Sequence, residues 1–462
     1  MVVDPNIFRE YDIRGIVGQQ LTDDTVAVLS RALGTYYRRN NASQIVVGYD
    51  ARASSPRFCE ILTRGLNESG CNVVLIGMVP TPVLYHALAT QPVDGGVMIT
   101  GSHNPPDHNG FKICLNTAAL FGSQIREIGE IAQKGQFSSG AGTSRDLKVL
   151  DRYLDEVVTG LNLGPRNLKA VVDSGNGMGG VTAVPIYRKL GIDLVELFTE
   201  PDSTFPHHHP DPTVEENLIG LIAAVRLHKA DVGLAFDGDG DRIGVVDETG
   251  RIIWGDELMV LFAREVLAAQ PGATIISEVK CSQTLFDDIE ARGGVPIMWQ
   301  AGHSIIKAKM KETGAALAGE MSGHIFFADR YYGFDDAAYA GGRLLEILSK
   351  TDLQLSALLA SVPKMYSTPE LRTPCPDEIK FAVVQKTAQF FARAHDVNTI
   401  DGARISFERG WGLVRPSNTQ AMLVLRFEAD SPDSLAEIRN TVESKVVEFI
   451  TAHPARPDRH AN

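Results

Sequence analysis

The sequence predicts an α/β protein of several domains. Short β-branched runs alternate with amphipathic helical stretches through most of the chain, as in strands and helices stacked in layers. The 462 residues exceed what one hydrophobic core serves, and by length they suggest about three domains. Toward the C-terminus the alternation gives way to a run of strands closed by one helix, which predicts a smaller α+β domain there.

In chain order, residues 22–39 (TDDTVAVLSRALGTYYRR) read as a helix with Thr22 as N-cap. Residues 44–50 (QIVVGYD), 72–78 (NVVLIGM) and 95–100 (GGVMIT) read as strands. A weak repeat then recurs at 169–180 (KAVVDSGNGMGG), 231–241 (DVGLAFDGDGD), 274–282 (TIISEVKCS) and 315–324 (AALAGEMSGH). Each is a strand, a polar loop, then a helix, and ligands collect at the carboxyl ends of such strands. Residues 403–429 alternate like antiparallel strands and 433–453 read as the closing helix. Boundaries near 148, 251 and 366 divide the chain into 1–148, 149–251, 252–365 and 366–462.

Composition excludes whole classes of function. With 44% hydrophobic and 22% charged residues, each domain can bury a core without disulfide or metal staples. The formal charge of −13 argues against a nucleic-acid partner, which needs a basic face, but leaves room for a small anion in a local cationic pocket. Cys59, Cys71, Cys114, Cys281 and Cys375 are scattered without a C-x-x-C, as expected of reduced thiols in the cytoplasm. The N-terminal MVVDPNIFREYDIRG has no signal-peptide core and no apolar run reaches spanning length, so no membrane partner is expected.

The sharpest motif is DGDGDRIG at 237–244. Asp237, Asp239 and Asp241 alternate with glycines, so three carboxylates can turn to one side of a tight loop, where a hard cation such as Mg²⁺ would neutralise them. A solvated acidic turn is the plain alternative. An EF-hand starting at Asp237 would find Glu248 in twelfth place but Arg242 where a glycine is required, and strand-like flanks instead of helices. A haloacid-dehalogenase-type phosphotransferase would use Asp237 as nucleophile, but lacks its following Thr or Val here. Gly175, Gly177 and Gly180 form a G-x-G-x-x-G after a strand, with Glu196 roughly where a dinucleotide fold keeps its acid. Any tight strand-to-helix turn selects glycine, so turn geometry is the better explanation. His207, His208 and His209 are consecutive and cannot easily face one ion; a polar loop is expected.

Ser102 follows a strand in TGSHNPPDHNGFK. The G-x-S-x-G of a hydrolase elbow is absent, which removes support for acyl transfer. If Ser102 carries a phosphoryl group instead, a cation on the acidic loop can take a phosphate oxygen, with Arg242 in reach. In RPSNTQ (415–420), Arg415 can fork onto a phosphate while Ser417, Asn418, Thr419 and backbone amides complete a cradle.

Together these motifs resemble the α-D-phosphohexomutase superfamily from FREYDIRG to RPSNTQAMLVLRFEA, nearly the whole chain. TGSHNP is similar to its phosphoserine loop, DGDGDR to its metal loop, GEMSGH to its sugar-binding loop and RPSNT to its phosphate-binding loop. The loop tails look most like the bacterial phosphomannomutase/phosphoglucomutase branch, since phosphoglucosamine mutases more often show SASHNP and GEQSGH. The resemblance implies three related α/β domains with mixed sheets around a central cleft plus the smaller fourth domain, each of the four carrying one loop. Ala421 departs from the proline common after the fourth loop.

The resemblance further implies an intramolecular phosphotransferase that interconverts hexose 1- and 6-phosphates of mannose or glucose through a 1,6-bisphosphosugar. Ser102 would carry the phosphoryl group and share Mg²⁺ with Asp237, Asp239 and Asp241; glucose or mannose 1,6-bisphosphate would be the activator. Tyr11, Arg14, His103, Lys112, Arg242, Lys280 and His303 match active-site positions, with Lys112 and His324 as alternative proton carriers. Glu320 and Ser322 match the pair that grips sugar hydroxyls. The partners implied are small hexose phosphates, and the chain is expected to be a monomer or homodimer. A phosphoglucosamine mutase and a non-catalytic sugar-phosphate binder on the same fold are the alternatives.

Overall fold

The strand Gln44–Tyr49 is buried along its middle because helices cover both faces of its sheet, as an unbroken apolar run in a parallel sheet requires. In this computed structural model, which describes residues 3–417 and 421–452, the chain divides into two compact units. One comprises Met1–Ile276, Asp287–Ile297 and Gly302–Ser361; the other comprises Ser277–Phe286, Met298–Ala301 and Val362–Asn462.

In the first unit, Gln44–Tyr49 lies parallel to Asn72–Met78 on one side and to Gly95–Ile99 on the other. His108–Leu115 then returns antiparallel to Gly95–Ile99, and Ile13–Ile16 pairs antiparallel with it at the edge. The helix Asp23–Arg39 starts where the sequence predicts, with the Thr22 hydroxyl accepting from the Thr25 N–H at 3.2 Å. Asp23 and Asp24 sit in its first turn and Arg38 and Arg39 in its last, which suits the helix dipole. Its apolar face (Val26, Leu29, Leu33, Tyr37) packs with Ile45, Val47 and Phe58 in one buried cluster. A second sheet repeats the plan: Lys169–Asp173 is parallel to Asp193–Leu197 and Val232–Phe236, and Ile243–Asp247 returns antiparallel. Mixed sheets are therefore present as the resemblance implies.

The second unit is an antiparallel sheet in which Gly410–Pro416 lies between Ala403–Phe407 and Met422–Ala429. Helices Asp377–Phe391 and Pro432–Thr451 cover it, through a core that includes Val383, Phe391, Ile405, Leu425 and Val442. No helix among the described residues is long and apolar enough to cross a membrane.

One topological feature positions the three motif loops of the first unit. In each, a strand runs into a tight connection and comes back antiparallel. Gly95–Ile99 returns as His108–Leu115 across 100–107, and Val232–Phe236 returns as Ile243–Asp247 across 237–242. Leu317–Gly319 returns as Ile325–Phe327 across 320–324. In the second unit, Gly410–Pro416 pairs antiparallel with Met422–Ala429, and residues 418–420 between them lie outside the described residues.

Candidate active site

Ser102 occupies the left-handed backbone region (φ +49°) and is 2% exposed. A non-glycine residue there is uncommon, and it persists because its surroundings over-determine it. The Ser102 N–H donates to the Thr100 hydroxyl at 2.8 Å. The Arg52 guanidinium donates to the carbonyls of Ser102 (2.7 Å), Asn104 (2.6 Å), Pro105 (2.6 Å) and His108 (2.9 Å). Asp50 pairs with that guanidinium at 3.3 Å. The serine hydroxyl is thereby aimed inward, donating to Asp237 Oδ2 at 3.0 Å and lying 3.1 Å from His103 Nδ1. Burial, reinforced by the Arg242 and Arg14 guanidiniums, holds His103 well below the usual imidazole range. Arg14 pairs with Asp12 at 2.6 Å and donates to Asn104 Oδ1 at 2.8 Å, tying the first strand to this loop.

The carboxylates of Asp237, Asp239 and Asp241 are fully buried, and one oxygen from each falls within 4.8 Å of the others. Asp237 Oδ1 accepts from the Asp241 and Arg242 N–H groups at 3.0 and 3.1 Å. Asp239 Oδ2 accepts from the Thr81 hydroxyl at 2.5 Å and from Lys112 Nζ at 2.6 Å. Lys112 also pairs with Asp241. Asp239 Oδ1 and Asp241 Oδ1 accept no hydrogen bond, although His324 Nδ1 stands 3.6 Å from the latter. Two orphaned, buried carboxylate oxygens beside a third carboxylate fit a hard cation, since such atoms are otherwise costly. Burial, then the neighbouring charges of Asp241 and Asp239, push Asp237 well above the usual carboxylate range. Burial alone would raise Asp239 as well, but the Lys112 ammonium and the hydrogen bonds from Lys112 and Thr81 hold it below. The same carboxylates outweigh burial at Lys112 and raise it above its ordinary value, so it stays an ammonium.

His324 and Arg242 link this loop to the next. Arg242 Nε donates to His324 Nε2 at 2.9 Å, so the ring proton belongs on Nδ1, which lies 3.0 Å from Asp335 Oδ2. His303 Nδ1 approaches the same Asp335 oxygen at 3.6 Å, and the two imidazoles stack with centroids 5.4 Å apart. Burial, then the Lys307 ammonium, holds His303 well below the usual range. Tyr11 meets the His303 ring edge-on at 6.2 Å. Glu320 is buried and its Oε1 accepts from the Gly302 N–H at 2.7 Å, while Ser322 in the same turn is half-buried.

The second unit brings Lys280 and Arg415 near one carboxylate, Glu370, and places Ser417 just after Arg415. Lys280 Nζ lies 2.8 Å from Glu370 and 3.8 Å from Glu278, and Arg415 pairs with Asp401 at 2.9 Å. The Ser417 carbonyl accepts from Lys380 Nζ at 2.6 Å. Asn418 and Thr419 lie outside the described residues.

Several participants carry no local sequence signal. Arg52, Thr81 and Asp335 make contacts up to 158 residues distant in sequence. His209 donates from Nε2 to the His103 carbonyl, and Phe205 lies 5.4 Å from the Arg52 guanidinium. The three consecutive histidines thus face three partners: His207 meets Asn176 at 2.7 Å, His208 meets Asp173 at 3.0 Å and His209 meets the serine loop. The glycines at 175–180 also have a steric reason. A Cβ on Gly177 would stand 2.9 Å from the Gly238 Cα, and the Met178 N–H donates to the Gly238 carbonyl at 3.0 Å.

Gly238 brings the acidic loop against the serine loop, because a Cβ there would run into the Ser102 carbonyl oxygen and stand 2.9 Å from its carbon. Both neighbours are backbone and cannot swing away. Gly238→Ala should therefore destabilise the protein by about 1–3 kcal/mol, read in denaturant unfolding. An unchanged unfolding midpoint would show that the two loops are not held so close.

Known protein families match the chain in four successive stretches. The family models for phosphoglucomutase/phosphomannomutase match residues 5–139 (alpha/beta/alpha domain I), 151–250 (domain II), 254–366 (domain III) and 370–445 (C-terminal domain). A fold of this kind, with a buried serine against an acidic triad, defines a phosphosugar mutase class. The chain belongs to the phosphoglucomutase/phosphomannomutase family. It is 46% identical to a phosphomannomutase/phosphoglucomutase of Pseudomonas aeruginosa over 96% of this chain and 95% of that one. It is 45% identical to a phosphoglucomutase of Neisseria gonorrhoeae, over 96% of each. A crystal structure of a phosphoglucomutase/phosphomannomutase family protein from Burkholderia thailandensis superposes with a TM-score of 0.92 at 45% identity, covering 97% of this chain and 98% of that one.

Proposed function

We propose that the protein is an intramolecular phosphotransferase interconverting hexose 1- and 6-phosphates of glucose and mannose, with Ser102 as the phosphoryl carrier. The observation that carries this reading is the Ser102 hydroxyl, buried and 3.0 Å from one carboxylate of a triad that leaves two oxygens without hydrogen bonds. Asp237, Asp239 and Asp241 would hold Mg²⁺ together with an oxygen on Ser102. The ion would supply charge neutralisation at the group being transferred. The family relationship supports this function over that of a phosphoglucosamine mutase or a non-catalytic binder.

The rest of the chemistry belongs to the chain's own groups. Substrate hydroxyl attacks the phosphorus on Ser102; the Oγ–P bond breaks as the sugar O–P bond forms, giving a 1,6-bisphosphosugar. The hydroxyl proton passes to His324 Nε2, the nitrogen that carries the lone pair once Arg242 turns to phosphate. Lys112, kept charged by two carboxylates, stabilises charge in place of acting as base. His103 and Arg14 steady the phosphoserine loop. Lys280, Arg415 and Ser417 would bind a substrate phosphate, with Asn418 and Thr419, which lie outside the described residues, completing the motif. The bisphosphate turns round, its second phosphate returns to Ser102, and His324 gives the proton back. Added glucose or mannose 1,6-bisphosphate would rephosphorylate any Ser102 that had lost its group. Work in a reducing, cytoplasmic setting suits five buried cysteines.

Glu320 and Ser322 would grip sugar O3 and O4, which roughly trade places when the intermediate turns, and so leave C2 unread. Efficiencies for glucose and mannose 1-phosphates should then lie within about tenfold, or ~1.4 kcal/mol in transition-state binding. A coupled assay saturated in bisphosphate activator checks this, and a thousandfold preference for either sugar would show that C2 is read. No turnover of either would remove the functional reading itself.

A further inference from the structure

We propose that Asp401 and Glu370 are built-in counter-ions that compete with substrate phosphate for Arg415 and Lys280, so that the cradle binds weakly enough to let go in mid-reaction. The idea deepens the phosphate-cradle reading above and rests on it. All the groups concerned lie in the second unit. Arg415 Nη2 is 2.9 Å from Asp401 Oδ2, and the two side chains are 13% and 15% exposed. Lys280 Nζ is 2.8 Å from Glu370 Oε1.

The acids differ in how firmly they are fixed. Glu278 is fully buried and its Oε2 accepts from the Lys280 N–H at 2.6 Å, which makes it a permanent partner. The Glu370 side chain is 31% exposed and can swing outward. Asp401 is intermediate, because the oxygen facing Arg415 also accepts from the Ala301 N–H at 3.1 Å. The Lys280 ammonium, together with Arg415 and Arg426, holds Glu370 below the usual carboxylate range, so it competes as an anion.

Lys280 and Arg415 thus each hold a carboxylate before any ligand arrives. A dianionic phosphate entering this cluster meets a guanidinium and an ammonium that already serve carboxylates, and like charges side by side are costly. Glu370 can retreat. Asp401 is tethered by Ala301 and keeps repelling the bound phosphate. For a reaction whose bisphosphate intermediate has to leave the cradle and re-enter by its other end, a full-strength hold would be a trap. Asp401 is then a residue that exchanges affinity for release.

Asp401→Asn is a clean probe, since its amide oxygen can still accept from the Ala301 N–H while the charge is gone. Calorimetry with glucose 1-phosphate should show about tenfold tighter binding than wild type. In the mutase assay KM should drop, and kcat should drop with it as the intermediate is held longer. Glu370→Gln should tighten binding in the same direction. Arg415→Met should lose most of the affinity. A merely structural role for Asp401 predicts weaker binding or a lowered melting temperature, never a tighter complex. Unchanged or weaker affinity in Asp401→Asn, or unchanged affinity in Arg415→Met, overturns the proposal. The binding comparison is independent of turnover. A wild type that binds but does not turn over, with a tighter Asp401→Asn, keeps the counter-ions and removes the mutase reading. An active wild type with no tightening removes the counter-ions alone.

Discussion

Ser102→Ala should lower kcat by about 10⁴-fold or more, corresponding to at least ~5.5 kcal/mol in the barrier, while the fold survives. Alanine retains the Cβ, so the strain of a positive φ at this position is the same before and after. The Arg52 bonds to the loop carbonyls and the bond from the Ser102 N–H to Thr100 involve backbone atoms and are unaffected. What disappears is the hydroxyl that donates to Asp237 and lies beside His103. The variant should also stop forming the acid-stable phosphopeptide expected of wild type incubated with glucose 1,6-bisphosphate. Seryl phosphate survives acid and hydroxylamine, whereas an acyl phosphate on Asp237 would be lost to hydroxylamine. A hydroxylamine-labile label, or near-normal turnover in Ser102→Ala with an unchanged melting curve, would move the nucleophile from Ser102 to Asp237.

Much of this was readable in the sequence because it is local. Thr22 caps its helix from three residues away, and the apolar runs at 44–50 and 231–236 become strands because burial on both faces demands an unbroken run. The alternating Asp-Gly pattern is a contiguous string whose geometry follows from its own spacing. The groups that hold those motifs in place are different. Arg52 reaches its carbonyl acceptors across 50 to 56 residues, and Thr81 reaches Asp239 across 158. Nothing near Arg52 distinguishes it from an ordinary surface arginine; only the folded sheet turns it into a buried clamp. The strand His108–Leu115 was likewise obscured, since Asn109, Gly110 and Lys112 interrupt its apolar pattern. Those interruptions have causes: Asn109 donates to Ser54 and Ser55, and Lys112 must reach the acidic triad. A Cβ on Gly110 would strike the Ile13 carbonyl. Functional demands erased the periodicity that would have announced the strand.

The same dependence on distant partners shapes the expected result for Asp239→Asn. Asp239 divides its carboxylate between two tasks: Oδ2 takes Thr81 and Lys112, and Oδ1 is left for a cation. An asparagine can keep its oxygen on the Thr81 and Lys112 side, but then turns an amide N–H₂ toward the place where the cation's charge is concentrated. The pocket loses one of three negative charges and gains a donor facing the wrong way, while Lys112 retains Asp241 as partner. The expected outcome is a fall in kcat of about 10²–10³-fold with KM moving much less, because charge neutralisation acts mainly on the transition state. Raising Mg²⁺ should recover part of the loss, and the Mg²⁺ concentration for half-maximal activity should rise. Thr81→Val separates the two tasks: it removes the hydroxyl donor without changing charge, so it should lower stability more than it shifts the Mg²⁺ requirement. If Asp239→Asn kept full activity, or if wild type worked undiminished in excess chelator, the triad would be a structural knot held by Lys112 and not a metal centre.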